Sequence, residues 1–398
     1  MLDRFRILDL TDDRGHFCGM ILAQLGAEVI AIEPPDGQRS RNHGPFAGGE
    51  EDPEKSLTHW AYNRGKQSLV LDLKTPEGLL RLDELAANAD AVVVSVQDDL
   101  DLDNLRLRYP HLVTASISGF GGSGPKAAWA ASDIVNAAAS GTMGITGDRD
   151  RAPVRLSLPQ TWHFAASDAL CGILLALRER DSSGLGQHVD IAAQHSYVIA
   201  SQYQMLYPFV DAPSTRRLSG GAEIGPITLR IVYEAADGFV SVVFLVGPTV
   251  GPYNTRLFEW MDEEGMCPDE FRDVDWIGFG SQVLSDPKAP GLLNRGAAVI
   301  NNFTKTKSKA DLLAAALERN LLVAPITTTR ELLDMDHAAE RHFWRPIKGV
   351  RFAGPIARLS ASTLRTEMGP QSSVSTISQN DQHHRRDQLQ IENKAAIR

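Results

Sequence analysis

"FRILDLTDDRGHFCGMILAQLGAEVIAIEPP", residues 5–35, decides how the chain is read. Residues 5–10 are a short run of β-type residues. Residues 18–26 space their apolar side chains as a helix that stops at Gly26, and 27–35 are a second apolar strand closed by prolines. Strand, helix and strand in this order give two parallel strands joined by a right-handed crossover. Outward from there the pattern repeats: 68–73 read as a strand, 76–89 as a helix, 90–96 as a strand and 111–118 as another. A doubly wound sheet follows, and such sheets take ligands at the carboxyl ends of their strands. Helical spacing dominates from about 127 to 180, and 188–207 read as a strand followed by a helix.

The texture changes near residue 214. "ITLRIVYEAADGFVSVVFLV" (227–246) has the form of a β-hairpin around "ADG"; 309–320 form an amphipathic helix and 321–328 a strand. The expected division is a large domain from 1–213 and 326–370, a small α+β domain at 214–325, and a polar, disordered tail at 371–398. No internal repeat is present.

The chain has 398 residues, 43% of them hydrophobic and 23% charged, enough for two domains of ordinary globular composition. Its three cysteines, Cys18, Cys171 and Cys267, form no CxxC pair. Neither a disulfide framework nor a zinc site is expected, and the eleven histidines lack metal-ligand spacing. The N-terminus lacks the form of a secretory signal, and the apolar runs are about half the length a bilayer needs. A formal net charge of −10 argues against nucleic-acid or anionic-membrane partners. The expectation is a cytoplasmic protein with no metal.

"GFGGSG" (119–124) satisfies GxGxxG after a strand, but Pro125 follows at once and no acidic residue closes a second strand about 20 residues on. A loop shaped by backbone needs is the better reading. No phosphate-cradling GxxxxGK[ST] and no GxSxG nucleophile elbow exists. Arg39 and Arg41 follow the second strand, and Arg64, Lys66 and Lys74 bracket the third. Adjacent strand ends would gather these cations, either as a phosphate-binding site or as a solvated basic surface.

Five further segments carry a resemblance. "ILDLT…GMILAQLGAEVIAIEPPDGQRSR", "NRGKQSLVLDLKTPEG", "PHLVTASISGFGGSGP", "SDIVNAAASGTMGITG" and "GILLALRERDSSGLGQHVDIAAQ", in this order, resemble the family III CoA-transferases. That family includes formyl-CoA and carnitine-CoA transferases and the related α-methylacyl-CoA racemases. "LLVAPITTTRELLDMDHAAERHFW" (321–344) resembles its C-terminal half, so the likeness runs from residue 5 to about 360. It implies an α/β fold: a Rossmann-like large domain with a parallel sheet, a smaller α+β domain, and two subunits threaded through each other. It also implies acyl-CoA and a carboxylic acid as substrates, no permanently bound cofactor, and CoA at the sheet edge, with Arg41, Lys66, Leu71 and Lys74 as candidates for holding it.

In that family an aspartate ahead of "GILxAL" attacks the thioester and then carries CoA itself. Counting back from Gly172 places it at Trp162, and an indole offers one N–H donor and no nucleophilic oxygen. Asp168 lies about 9 Å further along the helix and roughly 240° round it; it is the remaining carboxylate candidate, and His163 could form an acyl-imidazole. The racemase pair falls at Ser132 and Trp162, which leaves nothing to move an α-proton. An Arg-Pro-Gly turn of the family is replaced by "VQDDLDLDNL" (96–105), and its glycine loop is echoed by "SGGAEIG" (219–225). Trp162, Phe164 and Phe209 hint at a bulky acyl chain. Two readings remain: a CoA-transferase of an atypical branch acting as a homodimer, or a non-catalytic subunit whose paralogous partner supplies the aspartate.

Overall fold

A computed structural model describes residues 1–95, 100–210, 217–224, 227–281, 283 and 285–369; the expected polar tail lies outside them. The chain divides into two units, one of 1–142, 156–202 and the segment from 336 onward, the other of 143–155 and 203–335.

The first unit follows the alternation read at its start. Its elements are β1 (Arg6–Leu10), α1 (His16–Gln24), β2 (Glu28–Glu33), α2 (Leu57–Asn63), β3 (Gln67–Val70), α3 (Pro76–Ala86), β4 (Ala91–Ser95), α4 (Leu102–Arg108), β5 (Val113–Ser118), α5 (Asp133–Ala139), α6 (Thr161–Ser183), β6 (His188–Ala192) and α7 (Ala193–Ala200). The six strands pair in parallel in the order β3-β2-β1-β4-β5-β6. Successive side chains leave a strand on opposite faces, so Ile7, Val29 and Val93 pack with α1 and α6. Leu8, Ile30 and Val92 pack with α3 and α4 on the other face. Both faces are covered, which is why β1 and β4 are apolar runs rather than alternating ones.

The strand order reverses between β1 and β4. There the Asp12 amide donates to the Ser95 hydroxyl at 3.1 Å, and a crevice opens at the carboxyl ends of the strands. β3 is shorter than the 68–73 read from sequence. After Val70 the chain turns, and the Thr75 hydroxyl donates to the Asp72 carbonyl at 2.8 Å. The long helical reading of 127–180 resolves into α5 and α6. Helix α6 begins where the Asp133 carboxylate accepts from the Gln160 and Thr161 amides (2.9 and 3.0 Å), and ends at Gly184 with φ of 73°.

In the second unit, β7 (Gly221–Ile224) pairs with β8 (Ile227–Arg230), so the echo of the family's glycine loop is in part a strand. β9 (Val232–Ala235) and β10 (Gly238–Val242) make the hairpin expected around "ADG". The 227–246 stretch is thus three strands, because the Ile231 and Val232 amides both donate to the Gly220 carbonyl and break the run. Helices α8 (Gly251–Glu263), α9 (Asp269–Arg272), α10 (Ala289–Thr304) and α11 (Lys309–Arg319) precede β11 (Val323–Pro325), which pairs antiparallel with β10. Tyr233, Val240, Phe258, Trp276 and Phe303 centre this core.

The unit extends past residue 325 through α12 (Thr329–Leu333). Lys309 holds that segment by donating to the Ile326 carbonyl at 3.3 Å and pairing with Glu331. α13 (Asp336–Glu340) and the hairpin of β12 (Trp344–Ile347) and β13 (Val350–Ala353) belong to the first unit. No helix among the described residues is long and apolar enough to cross a membrane.

Candidate active site

Among the described residues two cavities lie at the carboxyl ends of the strands, and Asp12 lines both. The larger, about 580 Å³, is walled by the β1–α1 loop, the 39–43 turn, α2 and the starts of α5 and α6. The smaller, about 280 Å³, is walled by the ends of β1 and β2 and by Leu71–Lys74 after β3.

The β1–α1 loop is held from beneath. The Asp9 carboxylate accepts from the Thr11 amide (3.0 Å) and hydroxyl (2.6 Å), and its other oxygen lies 2.8 Å from the Lys66 ammonium. α1 comes so close that a Cβ on Gly19 would stand 2.0 Å from that oxygen. Lys66 also donates to the His16 carbonyl and the Asn63 amide oxygen (2.9 and 2.8 Å). Asn63 in turn donates to Nδ1 of His16 and of His59 (3.1 and 3.2 Å), and Ser40 to His59 Nδ1 at 2.8 Å. His16 Nε2 donates to the Thr11 carbonyl at 3.1 Å. Every proton in this chain of bonds requires neutral imidazoles. Burial first, then Lys66, pushes His16 well below the usual histidine value; burial, then Arg41, takes His59 to about 3.

Above this base, the Asp12 carboxylate takes three charge-assisted bonds from the Arg14 guanidinium at 2.6–2.9 Å. Burial alone would raise the Asp12 carboxyl, but Arg14 and Ser95 outweigh it and hold it below its ordinary value. The Arg14 guanidinium also lies 5.9 Å from the Trp162 ring centre. Trp162 is buried, 8% exposed, and with His163 borders the larger cavity. His163 Nδ1 faces the Pro159 carbonyl, which accepts only from an N–H, so Nε2 carries the lone pair. Its ring lies between Tyr62 and Phe17, with centroids 5.1 and 5.5 Å away.

The residues singled out from sequence fall in different places. Leu71 and Lys74 line the smaller cavity, and His163 the larger. Arg41 and Lys66 line neither. Arg41 is buried and paired with Glu33 (2.7 and 2.8 Å) and Glu54 (3.1 Å). Burial would raise Glu33, yet bonds from Arg41 and Ser68 hold it at about 2. Both cations point inward because buried carboxylates, Glu33 and Asp9, wait there for them. Asp168 is half-buried on α6 and borders neither cavity. Phe164 packs on Tyr197, and Phe209 is exposed on the second unit. Ser132 lines the larger cavity beside Asp133.

Of the acidic run at 96–105, Asp98 and Asp99 lie outside the described residues. Asp101 caps α4 and Asp103 pairs with Arg106. In "GFGGSG", the Gly122 amide donates to the Asp190 carboxylate at 2.9 Å; irregular chain rather than a helix follows. Sequence reasoning missed Asp12, Arg14, His43 and Tyr62. The signal for the first two was "TDDRGH", polar residues directly after the first strand, where a doubly wound sheet puts its ligand loop.

Adjoining cavities at the switch point of a parallel, nucleotide-type sheet define a doubly wound ligand-binding protein. The comparisons with known proteins make this specific. The model of CoA-transferase family III matches residues 2–372, and the chain belongs to that family. It is 30% identical over 352 residues to succinyl-CoA:(R)-benzylsuccinate CoA-transferase subunit BbsE of Thauera aromatica, covering 86% of this chain and 82% of that one. It is 36% identical over 237 residues to succinate–glutarate CoA-transferase of Agrobacterium fabrum, covering 57% and 58%. Among solved structures, a CAIB/BAIF family protein from Brucella suis superposes with a TM-score of 0.78 at 25% identity, over 94% of this chain and 96% of the other. The protein is an acyl-CoA-dependent CoA-transferase.

Proposed function

We propose that the chain exchanges CoA between succinyl-CoA and a second dicarboxylic acid, with the nucleotide end of the thioester at Leu71 and Lys74 and the acyl end in the larger cavity. Arg39 carries this reading. It lines that cavity and forms no ion pair among the described residues, whereas Arg14 is tied to Asp12. A free guanidinium matches the second carboxylate of a dicarboxylate, which it can grip with two parallel bonds. The named activities of the Thauera and Agrobacterium relatives, both on dicarboxylic acids, support the same class.

At Trp162 the chain departs from the mechanism its family implies, and His163 takes over the covalent step. Nε2 attacks the thioester carbonyl, the C–S bond breaks, and CoA leaves as thiolate. The acceptor carboxylate attacks the acyl-imidazole, freeing the ring and forming a mixed anhydride. The thiolate then attacks the acceptor's carbonyl carbon, giving the new thioester and releasing the donor acid. CoA is never esterified to the protein on this route. An interlocked dimer is part of the proposal.

The test is the purified chain with succinyl-CoA and a panel of dicarboxylates. Arg39→Gln should raise KM for the acceptor about 10- to 100-fold, the loss of one charge-assisted pair, and leave CoA affinity unchanged. Equal KM values for the two proteins would remove the dicarboxylate assignment. Transfer seen only after co-purification with a paralogous subunit would remove the single-chain reading.

A further inference from the structure

A third cavity, about 530 Å³, sits in the C-terminal return of the first unit, and none of its lining residues borders the two cavities at the sheet. It is walled by Arg341, Arg345 and Arg358, by the Ser362, Thr363 and Thr366 hydroxyls, and by apolar side chains that include Phe343 and Ile356. Among the described residues no carboxylate lines it, and none of the three arginines forms an ion pair. On a chain of net charge −10, three guanidiniums gathered without an acid are unexpected unless something anionic joins them. Arg345 Nε is buried and has no hydrogen-bond partner among the described residues. The Arg358 guanidinium donates to the Arg341 carbonyl, which ties the two walls together.

We propose that this cavity is a second ligand site, separate from the CoA site, for a small organic dianion: a phosphate monoester or a dicarboxylate. Planar guanidiniums grip either head group with paired bonds, the hydroxyls supply further donors, and the apolar wall accommodates a carbon body. The hairpin that carries Arg345 also touches α2: Arg64 lies 5.3 Å from the Phe352 ring centre and Lys348 5.9 Å from that of Trp60. Helix α2 and the turn before β3 thereby connect an occupant of this cavity to Thr58 and Tyr62 in the larger one.

Calorimetric titration of the full-length Arg39→Gln protein, saturated with CoA so that neither end of the first site competes, tests the assignment using inorganic phosphate and succinate as separate probes, with Arg39→Gln as the parent of the variants below. One probe should bind at one site per chain, and the tighter of the two identifies the head group. The pair Arg345→Gln and Arg358→Gln should weaken that binding at least tenfold while CoA affinity and the unfolding midpoint stay as in the parent. Arg345→Lys, which keeps the charge and loses the fork, should fall between. If neither probe binds, or both bind the double variant as tightly as the parent, the site does not exist.

Discussion

An imidazole that carries an acyl group must keep it from water long enough for the acceptor to arrive. Around His163 the means are at hand: Phe17 and Tyr62 flank the ring, and the buried Trp162 borders the same cavity. The Pro159 carbonyl also holds Nδ1 as the donor, so Nε2 is the ring nitrogen that attacks. On this account hydroxylamine added to the protein with succinyl-CoA releases a succinyl hydroxamate. His163→Ala should reduce it to the rate at which hydroxylamine cleaves the thioester without protein, and lower kcat by roughly three orders of magnitude or more. Asp168→Asn, a change outside both cavities, should leave both readouts unaltered. Undiminished hydroxamate in His163→Ala would move the covalent step to a cavity carboxylate such as Asp133. The contrast between His163 and Arg41 also shows what a single residue type conceals. Both were polar residues near strand or helix ends, yet one faces a cavity and the other is buried against Glu33. The sign of a charge does not say which way it points; that depends on a carboxylate distant in sequence.

At the scale of elements, β1, α1, α2 and β3 are joined by the buried network of Asp9, Lys66, Asn63, His16, His59 and Ser40. The two histidines stay neutral in the folded protein because burial and the nearby Lys66 and Arg41 charges oppose their protonation; Asp12 and Glu33 pull weakly the other way. The unfolded chain has no such restraint. As pH falls through the ordinary value of 6.5, the unfolded state takes up protons that the folded state refuses, so stability declines, for His59 down to about 3. Glu33 adds to this only below 4.5, since its contribution is complete above that value and is lost toward about 2. The unfolding free energy should therefore fall between pH 6.5 and 4.5 by up to about 1.4 kcal/mol per pH unit for each histidine, and His59→Gln should flatten the slope. Urea melts that show constant stability over this range would contradict the network as described. None of its bonds was legible in the sequence, whereas the elements it joins were. Periodicity reports burial on one face, so β1, β2, β4 and β5 were readable from apolar runs alone. The pairings that tie the elements together span 19 to 57 residues, such as Lys66 with Asp9, and those have no local signature. The same distinction runs through the site. Leu71 and Lys74 were named through the family resemblance, and both line the smaller cavity. Asp12 and Arg14 occupy the equivalent place after β1, in a stretch to which the sequence reading assigned no role.

For the whole molecule, the question is what covers its exposed apolar side chains. On the first unit Leu158, Leu175 and Ile199 are each about two-thirds exposed or more, and Leu158 borders the larger cavity. On the second unit Leu317 and Phe209 are 78% and 85% exposed. Large apolar surface left open in one chain is what an obligate partner covers. The chain leaves its first unit at residue 142 and again after 202, and returns near 336, so several strands of backbone link the two units. A partner threaded through such links cannot dissociate by dilution; it leaves only when one chain unfolds. Separately purified tagged and untagged proteins, mixed while folded, should therefore form no mixed dimer over days. Co-expression, or unfolding and refolding the mixture, should give about half mixed dimer, the statistical share for free re-pairing. Native mass spectrometry counts the species directly. Mixed dimers that appear within minutes of mixing would show a face-to-face dimer with an ordinary dissociation equilibrium. A chain that stays monomeric at every concentration would leave those side chains in water and remove the dimer from the proposal.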